Sequence, residues 1–502
     1  MSYLGIDIGQ SGCKGQAYNE QGNVIASSYK SYGYKIISGS VELNPATIWH
    51  NLQTLISDIS SQTKNDPVRT ICFSFLGAAL MAIDKEDMPL TNLIIAGNND
   101  ICDFFNSRIK RIKNRQGLYS INGLPLKAGY PLSKILWLLF KSPIKKEIKK
   151  FMLVEDFIFL KLGIEPSLDY TLAPLTGLFD INKKEWSIQA LKIFNLDFSF
   201  FSKPGLTGSL AGILPESTCN LLGLRKNVKV LMGGFDQYMS ALGSGAVKSN
   251  MSSNSMGSAD CITNVFSKVA NIDDLGKSNS QVGPYPAGDL YATLCYVNSG
   301  GSLLEFFRNN FYSKEEANKK DFYIKLESGI KTIKNKILVL PHFIGSGTPW
   351  LDDYSGGIIA GLKLESTRED IFISILESIC FELKMSIEII EKTLGNITEL
   401  RALSGGAKSD LWLKIRSNIL GIPVKRVKNQ EGGCLAGALF AMVEDKKYGN
   451  ITEAVNDLIK IDKVFYPDNK EAEDYYPEKY EIYKKLYKQN KQILNEIARK
   501  DV

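Results

Sequence analysis

The stretch at residues 228–247 most constrains how this chain can fold. It contains an apolar run, two glycines and one carboxylate, Asp236, followed by small residues typical of a helix start. The run predicts a buried strand, so Asp236 falls at a strand-to-helix turn. Ligands of α/β proteins bind beyond the carboxyl ends of parallel strands, where such turns lie. Asp236 is therefore a candidate catalytic residue, although an acid at this place also serves as an ordinary helix N-cap.

The size and charge of the chain bound its organisation. A length of 502 residues predicts two large domains, which we place at residues 1–246 and 247–502. The 60 basic and 54 acidic residues form no block of like charge, so binding to nucleic acid is not expected. The longest apolar run, residues 135–140, is too short to span a membrane, and no membrane association is expected.

Cysteine and histidine usage points to a reducing compartment and to carboxylate chemistry. The eight cysteines lie among apolar neighbours without a CxxC pair, as suits reduced thiols in a cytoplasmic protein. The first residues enter a predicted strand without the pattern of a signal peptide. Only two histidines are present, so we expect a carboxylate to serve as any general base.

Small polar turns follow several predicted strands. The first comprises residues 9–12, directly after a strand that carries Asp7. Backbone N–H groups of such a turn can bind an anion, and Asp7 could hold Mg²⁺ through water. A plain hairpin with a solvated Asp7 is the alternative. Further turns are predicted at residues 252–260, 298–302 and 405–409, the last between a strand and a helix.

Two other segments carry polar groups. Asn98 and Asp100 follow an apolar run; they could bind hydroxyl groups or cap the next helix, and the capping interpretation is favoured from the residues alone. The chain closes with a charged helix at residues 477–499, with Tyr480, Tyr483, Tyr487, Leu494 and Ile497 near one face. We expect the charges of this helix to be solvated.

Together these segments resemble the FGGY family of carbohydrate kinases from residue 5 to about residue 443. Residues 357–362 and 370–377 are similar to the family's C-terminal signature, and residues 129–138 to its N-terminal signature. Residues 5–9 and 257–258 resemble its two phosphate motifs, residues 405–407 its adenosine loop and residues 233–237 its catalytic segment.

The resemblance implies an α/β fold of two ribonuclease-H-like domains of the actin/hexokinase ATPase type with a cleft between them. It implies ATP and Mg²⁺ as cofactors, Asp236 as the catalytic base, and Asp7 and Asp236 facing the metal. It assigns ATP binding to Asp7, Gly9, Gln10, Ser11, Lys14, Gly257, Ser258, Gly300, Gly301, Gly405, Gly406 and Ala407. It assigns the sugar or polyol substrate to Gly77, Ala78, Asn98, Asp236 and Gln237. Dimers are common in the family, so a homodimer is possible.

The sequence departs from the family on the sugar side. Gln10 replaces a threonine in the first phosphate turn, residues 76–78 offer no side-chain donor, and the arginine expected near Asp100 is missing. A site with fewer donors rejects the usual sugar, so we expect an unusual substrate with fewer polar contacts or a different charge. The resemblance implies a small carbohydrate, either a ketose such as xylulose or a polyol. The missing arginine argues against an anionic acid such as gluconate. The alternative function is a kinase-fold sensor that binds sugar or nucleotide without turnover.

Overall fold

The computed structural model describes residues 1–112, 116–267, 272–330, 332–468, 470 and 474–499. Within them, two mixed sheets of seven strands each form the frame. The first sheet contains, in spatial order, Leu210–Ile213, Lys229–Leu231, Val68–Phe75, Ser2–Ile8, Gly12–Tyr18 and Val24–Ser31, with Gly234–Phe235 paired beside Val68–Phe75. The second contains Gln281–Pro284, Leu290–Val297, Asp260–Ser267, Met251–Met256, Glu399–Leu403, Val424–Val427 and Ile461–Phe465.

The two sheets share one order of strands. In each, a strand opens an antiparallel meander, as Ser2–Ile8 does in the first sheet and Met251–Met256 in the second. On its other side that strand pairs in parallel with a strand that arrives after a crossover helix. A further parallel strand follows in each sheet. This repeated order confirms the expected fold of two ribonuclease-H-like α/β domains, while the boundary between residues 246 and 247 stays a prediction.

Helices cover the faces of both sheets. The α-helices are Pro45–Gln62, Asn99–Ile109, Gln116–Asn122, Pro131–Phe140, Val154–Leu162, Ile188–Phe194, Glu216–Leu221, Asp236–Ser244, Gly301–Phe311, Lys314–Ala317, Phe322–Ser328, Arg368–Leu394, Asp410–Leu420, Gly432–Glu444, Ile451–Leu458 and Tyr476–Arg499. Short ladders add Lys35–Ile37, Ser40–Leu43 and Leu93–Ala96, Met81–Ile83 with Lys150–Met152, Ser167–Asp169 with Lys203–Gly205, Phe179–Asp180 with Glu185–Trp186, and Leu338–Leu340 with Ile358–Ala360.

The two crossover helices carry clear start signals. Pro45–Gln62 begins with proline after Asn44, whose side chain accepts from two backbone N–H groups. Arg368–Leu394 begins with a capping box between Thr367 and Asp370. Such caps satisfy N–H groups that have no partner within the helix. Both helices therefore start where their sequences predict.

The helix Gly432–Glu444 joins the two halves. It follows a strand of the second sheet, yet it packs on Ser2–Ile8 and Val68–Phe75 of the first. A Cβ atom at Gly5 would lie 1.8 Å from the carbonyl oxygen of Cys434. The same helix meets Asp236–Ser244, where a Cβ atom at Gly243 would lie 2.0 Å from the carbonyl oxygen of Gly432. Glycines thus allow backbone-to-backbone contact across the molecule.

Some local predictions were wrong. Of the predicted polar turn at residues 252–260, residues 252–256 lie in the strand Met251–Met256 and residue 260 in the strand Asp260–Ser267, so only residues 257–259 connect the two strands. In the last helix, Tyr480, Tyr483, Tyr487 and Leu494 are buried as expected, but Ile497 is 65% exposed. Its charges are not all solvated either, because Lys479 is buried and its ammonium donates to Glu377 on the helix Arg368–Leu394.

Two chain-wide properties complete the fold. All eight cysteines are free thiols, and Cys102 and Cys261 are the two that are only partly buried. Among the residues that the structure describes, no helix combines the length and apolarity needed to cross a bilayer.

Candidate active site

Asp236 is the first residue of the helix Asp236–Ser244 and follows the short strand Gly234–Phe235. Phe235 takes the N-cap position of this helix, so the structure does not support the capping alternative for Asp236. Burial and the negative charge of Asp7 raise the pKa of Asp236 to about 8. Hydrogen bonds from Gln237 act in the opposite direction. Asp236 is therefore a carboxyl group that can hold a proton near neutral pH.

Asp7 lies close enough to Asp236 for their charges to interact, on a strand that Val68–Phe75 separates from Gly234–Phe235. It lies in Ser2–Ile8, paired with Ser74 of Val68–Phe75, and the Ser74 hydroxyl donates to its carboxylate. Burial raises the pKa of Asp7 to about 6, although the bond from Ser74 opposes this shift. The two strand-end carboxylates singled out in the sequence thus share one site.

Asp236 also lies near the second sheet, because its charge acts on Cys261 of the strand Asp260–Ser267. Burial and the charges of Asp260 and Asp236 raise the pKa of the Cys261 thiol. The catalytic candidate therefore lies between the two sheets, at the cleft implied by the family resemblance.

The first phosphate turn is a tight hairpin beside these acids. The Gly9 N–H donates to the Gly12 carbonyl at 3.0 Å, which leaves Gln10 and Ser11 exposed at the tip. The Tyr32 hydroxyl fixes the turn by donating to the Gly9 carbonyl at 2.7 Å. The ammonium of Lys14, on the adjoining strand, forms an ion pair with Glu431.

A cavity of about 540 Å³ opens in the second half of the chain, within the range of small-ligand pockets. Five residues predicted to bind ATP line it, namely Gly257, Ser258, Gly301, Gly405 and Gly406. Two of their turns are joined directly, because the Gly301 N–H donates to the Gly257 carbonyl at 2.8 Å. The structure therefore gathers turns that lie far apart in the sequence into one concave surface.

Seven of the twelve residues predicted to bind ATP lie outside this lining. Five belong to the first two strands and the turn between them, namely Asp7, Gly9, Gln10, Ser11 and Lys14, and the other two are Gly300 and Ala407. Ala407 is buried with no exposed surface, and Gly300 packs against the backbone of Asp260. Residues that the sequence analysis did not assign complete the walls: Leu304, Glu305, Arg308, Lys320, Tyr323, Ile324, Glu327, Phe372, Leu376, Lys408, Ser409 and Trp412. Most of them come from four helices, Gly301–Phe311, Phe322–Ser328, Arg368–Leu394 and Asp410–Leu420, and they share no common motif. Among them, burial raises the pKa of the Glu327 carboxyl.

The predicted sugar segment lies against the catalytic segment. A Cβ atom at Gly77 would lie 2.4 Å from the ring of Phe235, so only glycine allows this contact. Ala78 has a left-handed backbone, with φ of 61°, which is strained for a residue with a side chain. Gln237 places a buried Oε1 atom beside Asp236, and this atom has no hydrogen-bond partner among the described residues.

Asn98 acts as a helix cap. Its Oδ1 atom accepts from the Ile101 N–H at 3.1 Å, and its Nδ2 atom donates to the Ser38 carbonyl at 3.0 Å. The capping interpretation is thus confirmed, and both polar ends of the side chain have partners within the protein. Asp100, in the first turn of the same helix, is exposed.

Lys134 is a site residue that the sequence analysis missed. It is fully buried, and its ammonium donates to the carbonyls of Ala78, Ile95 and Gly129 at 2.8, 2.5 and 3.3 Å. Burial lowers the pKa of Lys134 to about 7. One cation thereby ties the segment at residue 78 to the strand Leu93–Ala96. The available signal was a single lysine within an otherwise apolar helix.

Two family profiles and several known proteins match this chain. Profiles of the FGGY family of carbohydrate kinases match residues 2–243 with the N-terminal domain and residues 268–444 with the C-terminal domain. The chain is 28% identical to a xylulose kinase of Staphylococcus epidermidis, covering 98% of this chain and 97% of the relative. It is 26% identical to a gluconokinase of Bacillus subtilis, covering 91% and 90%.

Solved structures show the same fold. A ligand-bound xylulose kinase from Lactobacillus acidophilus superposes with a TM-score of 0.88 at 22% identity, covering 99% of each chain. A gluconate kinase from the same organism gives a TM-score of 0.86 at 22% identity, covering 98% of each chain. With both domain profiles matched in order along one chain, this protein belongs to the FGGY family of carbohydrate kinases.

Proposed function

We propose that this kinase transfers the γ-phosphoryl group of ATP to a hydroxyl group of a small neutral sugar, with Asp236 as the general base. The observation that carries the proposal is the position of Asp236. It faces Asp7, adjoins the segment at residues 77–78 through Phe235, and lies between the two sheets.

Each group has a role that its surroundings support. Asp236 accepts the proton of the attacking hydroxyl, since its raised pKa makes it a stronger base than an ordinary carboxylate. The turns at residues 9–12 and 257–258 donate to phosphate oxygens. The side chain of Gln237 lies next to Asp236, and its buried Oε1 atom has no partner among the described residues, which makes it the candidate acceptor for a sugar hydroxyl on closure of the site. Positioning and charge neutralisation supply most of the rate in such transfers.

Asp7 and Asp236 also suit Mg²⁺. Two adjacent carboxylates with raised pKa values gain from a nearby cation. No cluster of three or more acidic, cysteine or histidine ligands occurs among the described residues, and Mg²⁺ commonly uses one or two carboxylates together with water and phosphate oxygens. When bound, the ion would neutralise charge on the phosphates.

The residues of the sugar side favour a neutral substrate. Asp100 is exposed at the start of the helix Asn99–Ile109, where an arginine of the family is missing. A carboxylate there repels an anionic acid. Of the two substrates named for the relatives, xylulose is neutral and gluconate is an anion. We therefore infer a ketose such as xylulose, with a polyol as the other neutral class.

ADP release measured over ketoses, polyols and aldonates tests this function. We expect D-xylulose or another neutral sugar to stimulate ADP release and gluconate not to do so. A gluconate preference would overturn the assignment of substrate. Saturable sugar binding without ADP release from any compound would favour the sensor alternative.

Light scattering of the same preparation tests the predicted homodimer. The eight free thiols favour a cytoplasmic location.

The pH dependence of turnover tests the role of the acid pair. Because the pKa of Asp236 is about 8, the base is mostly protonated at pH 6, and we expect kcat/KM for the sugar to rise between pH 6 and 8. This profile reports groups of the free enzyme, and its midpoint belongs to the coupled pair of Asp236 and Asp7. A kcat/KM that is constant from pH 5.5 to 8.5 would contradict a base with a raised pKa.

A further inference from the structure

Two buried carboxylates lie behind the catalytic segment. Glu155, in the first turn of Val154–Leu162, and Asp169, at the end of Ser167–Asp169, have no exposed surface. Asp169 belongs to a hydroxyl-rich segment whose function the phosphate and sugar motifs do not explain. Buried carboxylates are costly unless hydrogen bonds satisfy them, so their partners show what they stabilise.

The side chain of Glu155 binds the backbone of the catalytic segment. One carboxylate oxygen accepts from the Gly233 N–H at 2.8 Å, and the other accepts from the Asp169 N–H at 2.6 Å. The peptide three residues before Asp236 is thus tied to the second buried acid.

Asp169 fixes the hydroxyl group of Thr171. Its Oδ1 atom accepts from the Thr171 hydroxyl at 3.0 Å and from the Leu172 N–H at 2.8 Å. Its Oδ2 atom accepts from the Thr171 N–H at 2.9 Å and from the Thr207 hydroxyl at 2.5 Å. Since a hydroxyl group has one proton, Thr171 donates it to Asp169 and presents only lone pairs on its other side.

Those lone pairs face the residue before the candidate base. The Thr171 Oγ1 atom accepts from the Phe235 N–H at 2.7 Å, so the two acids hold the peptides on both sides of Gly234. A Cβ atom at Gly234 would be crowded, since it would lie 3.3 Å from Thr171 Oγ1 and 3.0 Å from the Met239 sulfur. The backbone leading into Asp236 is therefore held at Gly233 and at Phe235.

We propose that Thr171, oriented by Asp169, is a positioning residue for phosphoryl transfer, which fixes the Phe235 peptide and thereby the direction of the Asp236 carboxylate. The inference rests on the proposed role of Asp236 as base. Thr171 does not touch the reacting atoms in this account. A base displaced by about 1 Å can lose about a hundredfold in rate, so loss of this contact acts on kcat.

Thr171→Val and Thr171→Ser form the central comparison. Valine keeps the shape of threonine but cannot accept from Phe235, whereas serine keeps the hydroxyl group. We expect Thr171→Val to lower kcat about 10- to 100-fold, with the KM values for sugar and ATP within about twofold of the parent. Thr171→Ser should retain kcat within about threefold. Equal kcat values for the two variants would overturn the proposal.

Thr207→Val controls for the loss of a buried hydrogen bond. It also removes one hydroxyl donor from Asp169, but it leaves the bond between Thr171 and Phe235 in place. We expect a fall in Tm similar to that of Thr171→Val with kcat near the parent value. If both variants lose kcat in proportion to Tm, the network is merely structural.

Two further variants cover a failure of Thr171→Val to fold and separate the positioning role of Thr171 from the proposed role of Asp236. If Thr171→Val does not fold, Asp169→Asn serves instead, because its amide nitrogen can turn the Thr171 hydroxyl proton toward Phe235, and kcat should again fall more than KM changes. Asp236→Asn separates the two hypotheses. An active Asp236→Asn enzyme would overturn the proposed base, whereas an inactive one beside a fully active Thr171→Val would overturn the positioning role alone.

Discussion

Asp236→Asn should lower kcat for phosphoryl transfer about a thousandfold or more while the protein still folds and binds ATP. A general base contributes about a hundredfold to ten-thousandfold in rate, and an amide cannot accept the proton. The cavity that we propose for ATP is lined by residues 256–258 and later segments and not by Asp236, so the affinity for ATP should change little. ADP release and titration with ATP measure the two properties separately.

The same variant should also change how the stability of the protein depends on pH. The pKa of Asp236 in the folded protein, about 8, lies above the ordinary value of about 3.9 for an unfolded chain. The folded state therefore binds this proton more tightly, and its contribution to stability is present at low pH and is lost as the pH rises toward 8. Because asparagine does not titrate, the Tm of Asp236→Asn should exceed that of the parent increasingly between pH 5 and 8.

Asp289→Asn is the matched control, since the side chain of Asp289 is fully exposed. It should leave both kcat and the pH dependence of Tm unchanged. Turnover of Asp236→Asn close to that of the parent would remove Asp236 from the role of base. A Tm difference that does not vary with pH would show instead that Asp236 is not protonated in the folded protein.

The local sequence pattern predicted the strands and the helix that carry Asp236 and Asp7. The apolar run folds as the strand Lys229–Leu231, and the small residues from Asp236 onward fold as a helix. The predicted turn between them is instead the short strand Gly234–Phe235. The hairpin after Asp7 also forms as its Gly and Ser residues predict. These features depend on neighbours in sequence, which is why periodicity and turn residues reveal them.

Other parts of the site depend on tertiary contacts. Lys134 meets carbonyls at residues 78 and 95, and Thr171 meets Phe235 across 64 residues. No local pattern records such partners, and a lysine or a threonine within an apolar segment has many possible roles. Asn98 shows the opposite case, because its local pattern was sufficient to predict a helix cap. The family resemblance also assigned it to the substrate, but both polar ends of its side chain already have partners within the protein.

Gly5→Ala should destabilise the whole molecule, because the added Cβ atom would lie 1.8 Å from the Cys434 carbonyl oxygen and 2.6 Å from its carbon. Neither backbone can move without shifting the helix Gly432–Glu444 on the first sheet. Overpacking of this kind costs about 3 kcal/mol. The helix also carries Gly433 beside Asp7 and Ser74, so the shift should lower kcat about tenfold or more as well. Thermal unfolding and ADP release measure the two effects.

Gly33→Ala provides the reference for this substitution. A Cβ atom at Gly33 would meet no described atom within 4 Å. The free energy of unfolding of this variant should therefore lie within about 1 kcal/mol of that of the parent. Gly243→Ala repeats the test at the other contact of the same helix, where the Gly432 carbonyl oxygen lies 2.0 Å from the added atom. If Gly5→Ala and Gly33→Ala had the same Tm, the close passage of the helix Gly432–Glu444 across the first sheet would be wrong. Loss of Tm and kcat in both Gly5→Ala and Gly243→Ala would instead show that this helix couples the two domains at the catalytic acids.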